Sequence, residues 1–152
     1  MLVTAAKVCM AAFAMIIASC LVSTMAIFMG GGQGGTDLRE LMLLQIASVP
    51  LSVLAIAAAL LISKLKSGDI PGVKKLYAGV PQWMALAFFL LFLLVGSGEI
   101  AFLIVTRAAG IDVAWTAHAP LASMFACSLA ICVLYACSGH WSSRPDPVSG
   151  RW

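Results

Sequence analysis

The sequence predicts an all-α, polytopic membrane protein built as a four-transmembrane-helix bundle, with a proline-kinked second helix. Three observations carry this. Apolar residues make up 62% of the 152-residue chain and charged residues 10%, with a mean hydropathy of +1.06, a balance that a water-soluble domain cannot expose. Four apolar segments, roughly 4–29, 38–62, 82–106 and 117–138, are each long enough to cross a hydrocarbon core of ~30 Å as a helix. Glycine, proline and charge clusters separate them. Only a helix or a closed barrel satisfies its own backbone in lipid, and spans of ~20 residues use nearly the whole chain. The expectation is one integral membrane domain over 1–152, with a loop at 63–81 and a tail at 139–152.

In the first span, Lys7 is followed by an apolar run. "IASC" at 17–20 matches a lipoprotein cleavage pattern, but the apolar run continues through Ile27 and Phe28, longer than a typical signal core. An uncleaved helix is expected. "GGGQGGTDLRE" then supplies a flexible turn, and Asp37 with Glu40 three residues on forms a capping-box pattern for the second span. Pro50 falls near the middle of that span and removes one backbone bond, so a kink is expected there, with Ser48 or Ser52 helping to satisfy the freed carbonyl. Pro81 marks the start of the third span, since a first-turn proline lacks only an N–H that would be unpaired anyway. Within the third span, Leu86, Phe88, Phe89, Leu90, Leu91, Phe92 and Leu93 lie all round the helix. This span should be the most exposed to lipid, or the face offered to another subunit. Small residues that let membrane helices approach recur at Ala122, Ala126 and Ala130 in span four and at Ala14 and Ala18 in span one.

Basic residues are retained on the cytoplasmic side. With four spans, one side holds Lys7, Lys64, Lys66, Lys74, Lys75, Arg144 and Arg151, and the other only Arg39 and Arg107. Both termini are therefore expected in the cytoplasm, in a bacterial inner membrane. In the middle loop, Ile70, Val73, Leu76, Tyr77 and Val80 recur at helical spacing with Lys74 and Lys75 turned away. That pattern reads either as a short interfacial helix on an anionic leaflet or as an ordinary basic loop; Lys64, Lys66, Lys74 and Lys75 form the basic membrane surface in both cases.

The five cysteines, Cys9, Cys20, Cys127, Cys132 and Cys137, include no C-x-x-C pair, so disulfide-exchange chemistry has no motif to rest on. Five-residue spacing turns successive cysteines of span four by roughly 140°, which rules out one metal site among them. His118 and His140 sit at opposite ends of the same span, too far apart to share one haem iron. His140 belongs to "SGHWSSRPDPVSGRW", read as a tail that hugs the membrane surface or a partner.

The remaining signal is Glu99 in "FLLVGSGEIAFLIV". It lies seven residues before Thr106, hence ~10 Å inside the outer boundary. The same depth reaches Ser23 and Thr24 in span one, Gln45 and Ser48 in span two, and Ser123 in span four, with His118 one turn shallower. Gly96 and Gly98 would allow close backbone approach, leaving the carboxyl surrounded by donors. An ionisable residue within a span is by default a hypothesis about function; the competing reading is hydrogen-bond glue between helices.

No catalytic constellation, soluble domain or metal set is present in the sequence, so the expected role is a non-catalytic accessory or scaffolding subunit of a larger membrane complex. The alternatives are a small oligomeric transporter or channel using Glu99, and a haem- or quinone-binding redox subunit. Expected partners are the bilayer and other membrane subunits or further copies, with no nucleic acid. No cofactor is evident, a lipid or quinone being the one class with a plausible place.

Overall fold

The computed structural model describes residues 1–29, 36–68, 70–110 and 118–142, without the side chains at 27, 28, 36–42, 44, 67, 73, 140 and 142. The described residues form five helices and no strand: α1 (Leu2–Met29), α2 (Thr36–Ser67), α3 (Val73–Ala78), α4 (Gln82–Ala108) and α5 (Ala119–Ser142). All except α3 are long and apolar enough to cross a membrane. The protein is a multi-pass membrane bundle.

The ends follow local chemistry. Gly68 terminates α2 at φ +75, a left-handed conformation that side chains with a Cβ resist, and its N–H bonds the Lys64 carbonyl at 2.8 Å. Gly110 does the same for α4 at φ +70, donating to the Arg107 carbonyl. Pro81 caps the start of α4, its carbonyl accepting from the N–H groups of Met84 and Ala85. The capping box of Asp37 and Glu40, the tail beyond 142 and the His140 side chain lie outside the described residues.

The helices do not share burial equally. α5 is the hub, with 56% of its apolar window buried, against 22% for α1, 22% for α2 and 6% for α4. α5 turns a stripe of Ser123, Cys127, Ala130, Leu134, Cys137 and Trp141 inward, three or four residues apart, which is the spacing of knobs that pack into a neighbouring helix. α1 answers with Ala6, Phe13, Ile17 and Cys20. The stripe of α2 is different in kind: Gln45, Ser48, Ser52, Ala59 and Ser63 are all buried, with no large aliphatic among them. Small residues on such a stripe let two backbones approach closely in lipid, where packing rather than water exclusion holds helices together.

Several expectations are corrected. Ala14 and Ala18 are exposed, and the small residues that α1 buries are Ala6, Cys20 and Ser23 instead; on α5, Ala130 is buried but Ala122 faces outward. The serines flanking Pro50, which lies inside the continuous α2, do not reach for the freed carbonyl of Ile46: Ser48 donates to the Gln45 carbonyl at 2.6 Å and Ser52 to the Ser48 carbonyl at 2.8 Å. Trp141 is not part of a surface tail. It is buried in the last turn of α5 and donates its indole N–H to Ser63. The middle loop does hold a helix, but α3 packs Leu76, with Val80 just beyond it, on the core while Ile70 and Tyr77 stay exposed. Gly79 comes so close to α5 that an added Cβ would lie 3.1 Å from that of Ala136.

Candidate functional site

The polar groups expected at one depth divide into two separate sets. The first is enclosed by α1, α2 and α5. Gln45, 1% exposed, directs its amide nitrogen to Ser23 at 2.8 Å and to Ser19 at 3.4 Å. The two hydroxyls spend their protons on carbonyls of their own helix, Ser23 on Ser19 and Ser19 on Ile16. Only their lone pairs face Gln45, and this is what orients its amide with the nitrogen toward them. Its Oε1 is buried without a partner among the described residues. From α5, Ser123 donates to the Gln45 carbonyl at 2.5 Å, and Cys127 lies 3.6 Å from Ser52 and 3.7 Å from Ser48. Thr24 stays apart, donating to the Cys20 carbonyl one turn back.

The second set is a pair. Glu99 Oε1 and His118 Nδ1 are 2.6 Å apart, joining the middle of α4 to the residue that precedes α5. Their side chains are 13% and 46% exposed, so the acid lies inside and the imidazole at the edge. Glu99 Oε2 is buried and has no partner among the described residues. Among them the carboxyl is held by one group rather than surrounded by donors. Gly96 is open, since a Cβ there would meet nothing within 4 Å.

Lys64, Lys66, Lys74 and Lys75 are all exposed at the α2 terminus and on α3. Among the described residues no three His, Cys, Asp or Glu side chains gather as a metal site. The feature that sequence reasoning missed is the serine stripe of α2. Its signal was present as hydroxyls at Ser48 and Ser52, four residues apart, continued by Ala55, Ala59 and Ser63.

Chemically, the buried set offers hydrogen bonds between three helices. The Glu99–His118 pair offers a hydrogen-bonded contact between a carboxyl of α4 and the imidazole just before α5. No protein-family model, curated protein or solved structure matches this chain.

Proposed function

We propose that this protein is a non-catalytic accessory or scaffolding subunit that presents α4 to a partner within the membrane. The observation behind this reading is that α4 is the most apolar span, with a hydropathy of 2.5, yet has only 6% of its apolar window buried. Trp83, Leu86, Leu90, Leu94, Ile100 and Ile104 all face outward. Helices associate in lipid through packing, so a span that packs this little on its own bundle keeps its surface for another helix, from a larger complex or a second copy. The two termini are cytoplasmic in this proposal, supported by seven basic residues against two, and the membrane is a bacterial inner membrane. Pro50 bends α2 within the single domain.

Extraction in mild detergent followed by mass spectrometry tests the assignment. Stoichiometric copurification with larger membrane polypeptides is expected, weakened by Leu90→Trp on the outer face of α4 and by truncation after 142. A well-formed homo-oligomer with no other polypeptide would overturn the accessory reading. Labels at Gly72 and Trp152 should report the cytoplasm, and labels at Gly34 and Ile111 the opposite side.

One observation favours a second reading. The unpartnered Oε2 of Glu99 beside a half-exposed histidine is also what a proton- or cation-binding site of a small oligomeric transporter or channel would need.

A further inference from the structure

Between α4 and α5 lies a cavity of about 300 Å³, the size of a small ligand pocket. Its walls are Phe88, Leu91, Met124 and Cys132, and Phe89, Phe125 and Leu129 line it while remaining exposed, so it opens sideways toward lipid. The far end narrows where the rings of Phe92 and Phe125 meet at 5.5 Å. Tyr77 of α3 and Val80 stand at the near end. From Cys132 to Met124 the groove follows α5 for eight residues, or ~12 Å, close to the ~15 Å of one leaflet's hydrocarbon. That is the reach of an acyl chain from one side of the membrane.

The mouth is basic. Lys74 precedes Tyr77 by three residues, which places the two on one stripe of α3, and Lys75 is exposed beside it. The close approach of Gly79 to Ala136 seats the end of α3 on α5, and Tyr77, which lines the near end of the groove, belongs to the same short helix as the two lysines. No acidic residue lines the groove, and Glu99 lies two turns beyond Phe92 on α4. An apolar slot one leaflet deep, with two exposed lysines on the helix that supplies its near end, complements one kind of occupant.

We propose that the α4–α5 groove binds one anionic phospholipid, its acyl chain between Phe89 and Leu129 and its phosphate on Lys74 and Lys75. This does not depend on which partner α4 meets. The test reconstitutes the full chain in vesicles of mixed phosphatidylglycerol and phosphatidylcholine, extracts it gently and weighs what is retained by native mass spectrometry. One retained phosphatidylglycerol per chain is expected, with its preference over phosphatidylcholine falling about fivefold for each lysine changed in Lys74→Ala and Lys75→Ala. Ser128 also lines the groove, and Ser128→Phe, which fills it, should abolish retention of either lipid while helicity stays unchanged. Equal retention of the two lipids, a preference that survives the lysine changes, or a second protein chain or a neutral isoprenoid in the lipid's place would overturn the proposal. The lysine variants alter only exposed side chains, so they decide the matter even if Ser128→Phe does not fold.

Discussion

The indole N–H of Trp141 donates to Ser63 Oγ at 3.0 Å, with both side chains buried where the last turns of α5 and α2 meet. An aromatic at this position packs on the bundle and still needs a partner for its nitrogen. Ser63→Ala leaves that N–H buried and unpaired, whereas Trp141→Phe removes the donor and keeps most of the ring. Ser63→Ala should therefore cost more than the bond alone, about 1–3 kcal/mol. Because Trp141→Phe removes the orphaned donor, that penalty enters the coupling in a double-mutant cycle, which should also be about 1–3 kcal/mol. Unfolding in detergent measures both, and additivity of the two changes would sink the assignment.

Glu99 and His118 form a tie between α4 and the start of α5. If that tie is structural, Glu99→Gln keeps an acceptor for the imidazole and is nearly neutral, while Glu99→Leu costs on the order of 1 kcal/mol. If the pair exchanges a proton or cation, Glu99→Gln folds normally and abolishes a pH-dependent flux or binding signal, because an amide cannot titrate. The first outcome is expected. Vesicle flux assays run beside unfolding curves separate the two.

The same pair marks where the sequence stopped being legible. Hydropathy reports the solvent around a segment, so the four spans and the sparse burial of α4 within its own bundle could be read from composition. Counting residues from a span's end gives depth but not direction around the helix. Ser123 lies five residues after His118, about 140° further round α5, and this rotation sends Ser123 to Gln45 of α2 while His118 meets Glu99 of α4. Small ridges were ambiguous for a related reason: alanine is plentiful in every span, and only packing selects Ala59 and Ala130 over Ala14.

Gln45 should respond in opposite directions to two similar-sized replacements. In Gln45→Met the bonds to Ser19 and Ser23 are lost, yet no donor is orphaned, because both hydroxyls already donate to their own helix. The unpaired Oε1 disappears at the same time. Two weak bonds of about 0.6 kcal/mol each set against an unpaired buried acceptor worth about 1–3 kcal/mol leave the variant neutral or stabilised. Gln45→Glu places an acceptor-only group before the lone pairs of two serines and should destabilise by at least ~3 kcal/mol. Thermal midpoints in detergent check this, and a strongly destabilised Gln45→Met would mean that Oε1 has a partner after all.

Gly79 decides how firmly α3 is seated. Its φ of −80 suits any residue, so alanine there gains about 0.4–1 kcal/mol by restricting the unfolded chain. Against this, the new Cβ would lie 3.1 Å from the Cβ and 3.3 Å from the Cα of Ala136, so α3 must retreat by a few tenths of an ångström. A six-residue helix joined to α2 through Gly68 and Gly72 can make that shift, and Gly79→Ala is expected within about 0.5 kcal/mol of the parent, the two effects offsetting each other. Gly79→Leu cannot be absorbed and should lift α3 from α5. Protease cleavage between 68 and 81 should then rise, while the midpoint of the four long helices barely moves, because among the described core contacts α3 and its exit contribute only Leu76 and Val80. Equal cleavage of the alanine and leucine variants would show instead that α3 is clamped and has no freedom to retreat.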